Sequence, residues 1–492
     1  MDIADKKVTE KFDVPEIGGI ARLQFTLDGK YVVAAGSREG NAVIVDTKTH
    51  KTVKNFQLGA GTEPIFINPD GKHIFIGTTN ENFITEIDLT TLEITRKITG
   101  FEGPDAMAWI GGVEMLNNNK APQEGRMQFF GRTLAISPEV HPDNSVTFRI
   151  DAPKAEEVSL HISGLKPVAM EKEVDGMWSV TTSPLAPDVY PYSFSIDGLN
   201  VPDPVNPEIT TGYKMRVGNS IVQIPAENPE PWEQTNVPHG AITRHFYESA
   251  IIGDQSDFYI YTPPGYNPKR KQKYPTLYLL HGLTENAESW FTAGKANFIL
   301  DNLIAQGKIA PMVIVCPLGY GDPENITQGY GGAFETFTKS LLTEVIPFVE
   351  RNYNVGSKAE DRAITGLSMG AGQSLFIGLN NPDVFAYIGG FSSAVVMYGM
   401  NRDRSTVQQP ELLLDAPLFK KVFPELDANI NNKIKLLWIA TGDRDGEFAF
   451  SMEYKLWLKS IGVEFDEVIT PGQHTWMVWR RNLVDFSQLL FK

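Results

Sequence analysis

A serine flanked by two glycines is the clearest chemical motif of this 492-residue chain. The motif reads Gly-Leu-Ser-Met-Gly over residues 366–370, with Ser368 at its centre, between an apolar run at 361–365 and a helical segment at 371–379. Two glycines let the backbone turn sharply, so the serine hydroxyl stands above the sheet and can attack a carbonyl carbon. We therefore predict Ser368 as a nucleophile; the alternative is a serine in a structural turn.

The predicted nucleophile needs a histidine base, because a serine hydroxyl is a poor nucleophile at neutral pH. Enzymes with this elbow carry serine, acid and histidine in that order, and His474 is the only one of eight histidines that follows Ser368. It comes directly after a predicted strand, residues 464–469, on a loop at the carboxyl edge of the sheet. We predict His474 as the base, against the alternative of a surface or capping histidine.

The acid that orients this histidine should follow a strand between the two residues. The segment 436–440 has the composition of such a strand, and the loop after it contains both Asp443 and Asp445. Spacing alone does not choose between the two carboxylates. One is expected to be the acid and the other a turn or helix-capping residue.

An acyl-transfer site also needs N–H donors for the oxyanion that forms in the transition state. The residue after the nucleophile, Met369, supplies one. The second should come from the His-Gly turn that ends the strand 276–280, where we predict the N–H of Leu283, with Gly282 as the alternative. His281 in this turn is expected to support the loop rather than transfer protons.

Two further residues, Gln373 and Trp476, flank the predicted triad in sequence. They could line the substrate pocket, and packing roles fit them equally well. The predicted chemistry requires no metal and no cofactor. Cys316 is the only cysteine, which excludes an intrachain disulfide and a cysteine-built metal site, and its apolar neighbours predict a buried strand residue.

The elements that must position these residues begin near Pro238. From there, apolar runs of strand length alternate with amphipathic segments of helix length, such as residues 334–353. Strands buried on both faces are typical of a mainly parallel sheet with helices on each side. We therefore predict a C-terminal α/β domain over residues 238–492.

The segment before it, residues 128–237, predicts a β-sandwich. Short strands with period-two alternation are separated by Pro, Gly and Asp turns. The order of its strands resembles the immunoglobulin-like modules that precede glycogen-branching enzymes and several polysaccharide esterases. Its aromatic residues Trp178, Tyr190 and Tyr192 are expected to pack rather than to bind sugar.

The N-terminal residues 1–112 contain a repeat with a 42-residue period, marked by Asp28-Gly29 and Asp70-Gly71. This period and its hairpin turns predict four-stranded propeller-like blades and resemble the β-propeller repeats of bacterial surface and lactonase-like proteins. A third unit begins near residue 103 and dissolves after Trp109, and residues 113–127 read as a linker. Because so few blades cannot close a ring, we expect either that the chain is truncated or that another subunit or the rest of the chain completes the ring, and a homo-oligomer is one such solution.

The composition of the chain limits the kinds of partner that it is expected to bind. A formal net charge of −16 argues against nucleic acid and anionic lipid surfaces. The absence of a long apolar run and the charged first residues predict a soluble chain without a signal peptide or membrane segment. The compartment stays open, since both a cytoplasmic and a mature exported bacterial protein fit.

With these pieces in place, residues 240–492 resemble carbohydrate esterase family one and the esterase-D-like group, which are α/β-hydrolases. The resemblance is carried by the segments YPTLYLLHG, ESW at 288–290, the elbow region, IGLNNPDVFAYIGGFSSA and HTWMVWRRNL. In this group the acid ends a Gly-x-x-Asp turn, which maps onto residues 442–445 and selects Asp445. The chain departs from the group at Ala371, where a glycine is usual, and in a less glycine-rich oxyanion loop.

The resemblance implies a serine esterase that cleaves feruloyl or acetyl groups from plant cell-wall polysaccharide, with an immunoglobulin-like module before the catalytic domain. Two alternatives stay open. A siderophore esterase of the enterochelin type has the same pairing of domains, but its anionic substrate should require a basic pocket. A carbohydrate-binding scaffold with an inactive hydrolase domain is the alternative from another class.

Overall fold

The computed structural model describes residues 14–36, 38–68, 70–100, 103–104, 126–129, 132–214, 218–322, 332–393 and 416–492. The chain divides into two compact units, one of residues 1–123 with 128–133 and the other of residues 124–127 with 134–492. Trp109 and most of the predicted linker, residues 113–125, lie outside the described residues. The predicted sandwich and α/β domain therefore share one compact unit instead of forming two.

The first unit contains two four-stranded antiparallel sheets, β1 to β4 and β5 to β8 in chain order. Their strands are Arg22–Phe25, Tyr31–Gly36, Asn41–Asp46, Thr52–Gln57, Thr62–Ile67, His73–Thr78, Phe83–Asp88 and Glu93–Thr99, with a short 3-10 helix at Thr79–Glu81. In each sheet an Asp-Gly turn joins the first two strands, and Gly29 and Gly71 have φ angles of 68° and 67°. Only glycine adopts such angles without strain, which explains the repeat at these two positions.

The second unit begins with strands packed as two sheets. After β9 (Arg126–Phe129) and β10 (Arg132–Ala135), the strands β11 to β19 are Glu139–Val140, Val146–Asp151, Val158–Ile162, Val168–Ala169, Glu171–Lys172, Met177–Thr181, Asp188–Ile196, Leu199–Val201 and Ser220–Ile224. One sheet has the order β11-β12-β16-β15, and the other has β14-β13-β17-β18 with β19 also paired to β17. Trp178, Tyr190 and Tyr192 are all buried between them.

An eight-stranded sheet forms the centre of the remaining chain, in the order β20-β21-β23-β22-β24-β25-β26-β27. These strands are Ala241–Ser249, Asp254–Thr262, Thr276–Leu280, Val313–Pro317, Arg362–Gly366, Tyr387–Phe391, Leu436–Gly442 and Asp466–Thr470. The first two run antiparallel and the other six are parallel to one another. The mainly parallel sheet and the helices on its faces form an α/β-hydrolase fold, as predicted.

Helices cover both faces of this sheet. The α-helices α1 to α8 are Ser289–Thr292, Ala296–Ala305, Gly332–Ser340, Ile346–Asn352, Met369–Asn380, Ala416–Val422, Phe448–Ser460 and Trp476–Ser487, with a wider helical turn at Leu341–Val345 and 3-10 helices at Ala359–Asp361 and Ala428–Asn432. The core on one face includes residues of α3 to α7, and the core on the other face includes residues of α2 and α8. None of the helices in the described part of the chain is long and apolar enough to cross a membrane.

Candidate active site

Ser368 lies at the turn between β24 and α5, in a strained backbone conformation with φ 50° and ψ −114°. A non-glycine residue at positive φ is uncommon and is held there only by its surroundings. The glycines on either side explain the turn, because a Cβ on Gly366 would lie 2.6 Å from the carbonyl oxygen of Leu280 and one on Gly370 would lie 2.5 Å from the same atom. The backbone of the elbow and the end of β22 therefore pack too closely for any side chain at these two positions.

His474 and Asp445 form a hydrogen-bonded pair beyond the ends of two neighbouring strands. The loop after β27 carries the histidine, the loop after β26 carries the aspartate, and Nδ1 lies 2.9 Å from Oδ1 and 3.1 Å from Oδ2. The Asp445 side chain is fully buried. Asp443 is instead 47% exposed and accepts a hydrogen bond from the N–H of Gly472 at 2.7 Å. Of the two carboxylates on this loop, it is Asp445 that contacts the histidine.

The surroundings of Asp445 keep it ionised. Burial by itself would raise the pKa of this carboxyl, but hydrogen bonds from His474 and Ser392, the histidine charge and the N–H of Glu447 together lower the pKa below its usual value. The Glu447 N–H donates to Oδ1 at 2.8 Å. An ionised carboxylate at Nδ1 fixes the ring orientation and leaves Nε2 as the atom able to accept a proton.

The ring of His474 is also held by packing. It meets Trp479 of α8 edge to face, with 4.9 Å between the ring centroids and 89° between the planes. Trp479 is in turn fixed by a hydrogen bond from its Nε1 to the Ser392 hydroxyl at 3.0 Å. His474 and Ser368 line the same cleft, which has a volume of about 660 Å³.

The loop after β22 lies beside the serine. A Cβ built on Gly282 would come within 3.6 Å of the Ser368 Cβ, and 2.6 Å from the Leu367 side chain. The Gly282 N–H donates to Oε2 of Glu285 at 3.0 Å, which engages the alternative oxyanion donor and leaves the N–H of Leu283 as the better candidate. Met369 is the first residue of α5, and the first N–H groups of a helix have no partner within the helix.

His281 braces this loop through both ring nitrogens. Nδ1 lies 2.8 Å from the carbonyl oxygen of Gly282, and Nε2 lies 2.9 Å from the N–H of Gly319. A carbonyl only accepts and an amide N–H only donates, so the ring is neutral with its proton on Nδ1. Burial lowers the pKa of His281 to about 4, which suits a structural residue and not a proton shuttle.

The two residues predicted to flank the site have different positions. Trp476 lines the cleft and packs edge to face against Trp290, with 5.1 Å between the ring centroids. Gln373 is not among the residues that line the cleft. It is buried behind the site, where its Nε2 donates to the carbonyl oxygen of Gly319 at 2.6 Å. Its sequence distance from Ser368 puts it on the inner side of α5, which faces the sheet.

The sandwich forms part of the wall of the cleft, which the spacing of residues in the sequence does not predict. Residues of β13, β17 and β18 and of the segments 163–167, 210–212 and 218–219 line it together with the hydrolase residues. No spacing rule could have found this wall, because its members lie between 149 residues (Asn219 to Ser368) and 313 residues (His161 to His474) from the predicted triad. Only the packing of the two domains brings them together.

A buried ion pair joins the sandwich to the helix that follows His474. Arg480 of α8 is completely buried and donates to Oδ1 of Asp188 and to the carbonyl oxygen of Val189, both at 2.6 Å. It also donates to the carbonyl oxygen of Ala293 at 2.5 Å. Arg481 reaches the other Asp188 oxygen at 2.8 Å. The first residues of β17 are thereby fixed against α8.

A second contact joins the sandwich segment to the candidate oxyanion loop. The N–H of Tyr213 donates to the carbonyl oxygen of Thr284 at 2.9 Å. The Tyr213 ring stacks on Tyr320, with 4.6 Å between centroids and 12° between planes, and the Tyr320 hydroxyl donates to the carbonyl oxygen of Glu285 at 2.9 Å. Thus a residue outside the hydrolase domain helps to hold the loop beside Ser368.

The described residues that line the cleft carry little charge. Glu285 and two histidines are the titratable side chains on its described walls apart from tyrosine, and neither Lys nor Arg is among the described residues that line it. The described residues also contain no group of three or more His, Cys, Asp or Glu side chains that could hold a metal ion. The cleft therefore offers neutral hydrogen-bonding groups and apolar surface to a ligand.

Comparison with known proteins places the C-terminal region in context. Residues 249–490 match the family model named Esterase. A protein of Xylanibacter ruminicola described as endo-1,4-beta-xylanase/feruloyl esterase is 30% identical over 365 residues, which cover 72% of this chain and 46% of that protein. Endo-1,4-beta-xylanase Y of Acetivibrio thermocellus is 31% identical over 159 residues, 30% of this chain and 14% of that protein. The chain thus spans less than half the length of either relative.

Among solved structures, an enterobactin esterase of Shigella flexneri superposes with a TM-score of 0.54 at 19% identity. The match covers 71% of this chain and 94% of that one. A match of this extent reaches beyond the 242 residues of the family match. At this identity the likeness describes the fold alone.

Proposed function

We propose, from the match of residues 249–490 to the family model named Esterase, that this chain is a serine carboxylic-ester hydrolase. Its substrates are feruloyl or acetyl esters of plant cell-wall polysaccharide. The reaction passes through an acyl-serine intermediate. Ser368 is the nucleophile, His474 the base and Asp445 the acid.

In the first half of the reaction, Nε2 of His474 accepts the Ser368 proton while Oγ bonds to the ester carbonyl carbon. The carbonyl oxygen gains negative charge and receives hydrogen bonds from the N–H groups of Leu283 and Met369. Asp445 stabilises the imidazolium through Nδ1. Collapse of the tetrahedral intermediate breaks the bond to the alcohol oxygen, which leaves with the proton from Nε2.

In the second half, water attacks the acyl-serine carbonyl and gives its proton to Nε2 of His474. The same two N–H groups stabilise the second oxyanion. Cleavage of the bond to Oγ releases the carboxylic acid and returns the proton to Ser368.

The observation that carries this proposal is the Asp445–His474 hydrogen bond at 2.9 Å in the cleft that also contains the strained Ser368. A buried carboxylate needs a partner to offset its desolvation, and here that partner is the one histidine after the elbow. A structural turn serine would not require the positive φ angle of Ser368 or the close packing of its glycines.

The choice of substrate rests on the cleft and on one relative. A siderophore complex with three negative charges would favour a basic pocket, whereas the described cleft residues include neither Lys nor Arg. The Xylanibacter ruminicola relative carries feruloyl esterase in its description. Both observations favour a neutral plant ester over an enterochelin-type ester.

A hydrolysis panel tests the proposal. Purified protein is assayed on methyl ferulate, methyl caffeate, 4-nitrophenyl acetate, acetylated xylan and an enterobactin-type ester, with Ser368→Ala as the control. We expect turnover of a plant ester and labelling of Ser368 by a fluorophosphonate probe. A preference for the enterobactin-type ester would support the siderophore alternative, and neither turnover nor labelling would support an inactive scaffold.

We also propose that β1 to β8 are two propeller blades completed by blades of a second copy of the chain. Two copies supply four blades, the smallest number that usually closes a ring. The outer strand β1 is exposed along its length and includes Phe25 at 58% exposure. Light scattering after size exclusion should then give at least twice the chain mass of 54.6 kDa, and a monomer at micromolar concentration would contradict the proposal.

A further inference from the structure

One loop of the second unit concentrates positive charge in a chain whose formal net charge is −16. Residues 267–273, the basic loop, read Asn-Pro-Lys-Arg-Lys-Gln-Lys and lie between β21 and β22. Neither Asp nor Glu occurs from residue 258 to residue 284. The four cations of the basic loop therefore have no acidic neighbour along the chain.

These cations also have no acidic partner in space. Three of them are exposed lysines, Lys269, Lys271 and Lys273. The fourth, Arg270, is partly buried. Within the part of the chain that the structure describes, none of the four forms an ion pair with a carboxylate, whereas the exposed Lys459 pairs with Glu467 at 3.1 Å. The charge of the basic loop is thus available to a ligand.

The backbone beneath the cations is held in place. The Asn354 side chain donates to the carbonyl oxygen of Arg270 at 2.8 Å, and the N–H of Asn267 donates to the Tyr274 hydroxyl at 3.0 Å. The N–H of Lys269 donates to Oδ1 of Asn267 at 2.9 Å. The Arg270 guanidinium lies 4.8 Å from the centre of the Tyr274 ring. A ligand of the lysines therefore has to order only their side chains and not the loop itself.

The basic loop and the candidate active site lie at opposite edges of the eight-stranded sheet. The loop precedes β22, whereas Ser368, Asp445 and His474 all follow strands that run in the same direction as β22. The five residues of β22 alone span about 16 Å. A ligand on the basic loop therefore leaves the cleft open, and binding can accompany catalysis.

Exposed lysines on a loop suit a polymer of anions better than a single small anion. One exposed ion pair strengthens binding only a few-fold, but a polymer contacts several lysines at once and these weak contacts combine. Ammonium groups on flexible stems accept carboxylates in many orientations. A polyphosphate such as nucleic acid carries denser charge and is repelled more strongly by the acidic remainder of the chain.

We propose that the basic loop binds polysaccharide that carries carboxylate groups and holds the protein on this polymer while the cleft cleaves esters of the same polymer. The binding itself does not depend on the proposed esterase function, but its use in catalysis rests on it. Lys269, Lys271 and Lys273 are the contacts to the carboxylates. Arg270 adds charge while its guanidinium packs on Tyr274.

The first test measures binding of the full chain to polygalacturonate by titration calorimetry at low ionic strength. In the triple variant Lys269→Gln/Lys271→Gln/Lys273→Gln the dissociation constant should rise about tenfold, roughly twofold for each ion pair lost. Salt at about 0.5 M should weaken binding by the wild type strongly, because it screens exposed charges. Neutral arabinoxylan should not distinguish the triple variant from the wild type.

A second triple variant is the matched control for net charge. Lys154→Gln/Lys420→Gln/Lys421→Gln removes three charges from exposed lysines outside the basic loop. Its dissociation constant for polygalacturonate should change less than about twofold, because distant charges are screened. Thermal melting of both variants checks the fold.

The second test compares activity on two ferulate esters. For ferulate linked to a polysaccharide with carboxylate groups, the Lys269, Lys271 and Lys273 variant should lower kcat/KM several-fold through a higher KM. For methyl ferulate its kcat/KM should change less than about twofold, because this small ester does not reach the basic loop.

The outcomes separate the binding site from the proposed function. Equal affinity of the wild type and the basic-loop variant for polygalacturonate, or an equal loss in the control variant, would overturn the site. Tighter binding of polyglutamate or of DNA than of polygalacturonate would overturn the assignment to a polysaccharide. Binding of polygalacturonate without hydrolysis of any ester would support the site and overturn the proposed function.

Discussion

The hydrolase and the sandwich each line part of the cleft, and these two parts, the hydrolase wall and the sandwich wall, differ in what they contribute. On the hydrolase wall, each proposed catalytic group is fixed by a buried neighbour: Asp445 holds His474, and close packing against Leu280 holds Ser368 in its turn. The sandwich wall contains none of the proposed catalytic groups. Its β17 is fixed against the hydrolase through Asp188 and Arg480.

This contrast follows from what each wall does in the proposed reaction. A catalytic group must keep one geometry through the reaction, so its own hydrogen bonds are satisfied within the protein. A supporting wall acts instead through the position of its backbone, which the contacts with the hydrolase fix. The predictions below test whether the division between the two walls is real, and they run from the largest expected effect to the smallest.

The largest effect is expected on the hydrolase wall, at the proposed nucleophile. Ser368→Ala should lower kcat by a factor of about 10⁴ or more, because no acyl-serine can form. Steady-state kinetics on methyl ferulate measure the loss, and an unchanged melting temperature shows that the fold survives. Turnover close to that of the wild type would show that Ser368 is not the nucleophile.

The two aspartates of one loop provide an internal comparison. Asp445→Asn should lower kcat by about 10³ to 10⁴, because an amide no longer holds the ring of His474 in the productive tautomer. Asp443→Asn should change kcat less than about threefold, since Asp443 contacts the Gly472 N–H and the Arg444 side chain and not His474. A larger loss at Asp443 would reverse the assignment of the acid.

The buried ion pair that attaches the sandwich should contribute more to the free energy of unfolding than an exposed ion pair does. Asp188→Asn leaves the completely buried Arg480 without its charged partner and should lower the free energy of unfolding by about 3 kcal/mol. Urea denaturation measures this loss. Glu360→Gln, in the exposed pair with Lys358, is the control and should change little. Equal effects in the two variants would mean that the sandwich wall is not anchored through Arg480.

His281 makes the loop beside Ser368 sensitive to acid. Its pKa of about 4 in the folded protein lies below the ordinary value of 6.5, so between these values the unfolded chain binds more protons. Stability is therefore fully present above pH 6.5 and falls as the pH drops towards 4, by about 3 kcal/mol in total.

This pH dependence is measured as the free energy of unfolding across that window in the wild type and in His281→Gln. The glutamine keeps an acceptor for the Gly319 N–H but does not titrate. The wild-type curve should fall more steeply with acid than the variant curve. Parallel curves would contradict a buried neutral histidine.

The smallest effect concerns the contact between the two walls. Tyr213→Ala removes the ring stacked on Tyr320 and loosens the oxyanion loop, so kcat on methyl ferulate should fall about tenfold with little change in KM. Tyr213→Phe keeps the stacked ring and should restore most of the activity. A rise in KM alone would make Tyr213 a substrate contact and not a brace.

Much of the hydrolase wall could be predicted from the sequence. A nucleophile elbow is a local feature, so its residues are adjacent in the chain and their glycines are visible there. His474 followed from chain order, and the loop with Asp443 and Asp445 followed from the strand before it. The mainly parallel sheet followed from apolar runs that are buried on both faces.

Other features required tertiary structure. Spacing left Asp443 and Asp445 equal, and only the family resemblance favoured Asp445. In the structure the Asp445 side chain turns inward to His474, whereas Asp443 is 47% exposed. The sequence indicates no partner for Gln373. In the structure its side chain donates a hydrogen bond to the carbonyl oxygen of Gly319 behind the site. The sequence predicts a sandwich before the hydrolase domain, and the structure places both in one compact unit.

The sequence by itself determined the types and order of the reactive residues and the elements that deliver them, because turns and hydrophobic periodicity are local properties. Only the tertiary structure shows that Asp445 contacts His474, that the Gly282 N–H donates to Glu285, and that sandwich residues line the cleft. Those outcomes depend on contacts between residues far apart in the chain, such as Arg480 with Asp188. No local pattern records such contacts, since they arise only when the domains pack together.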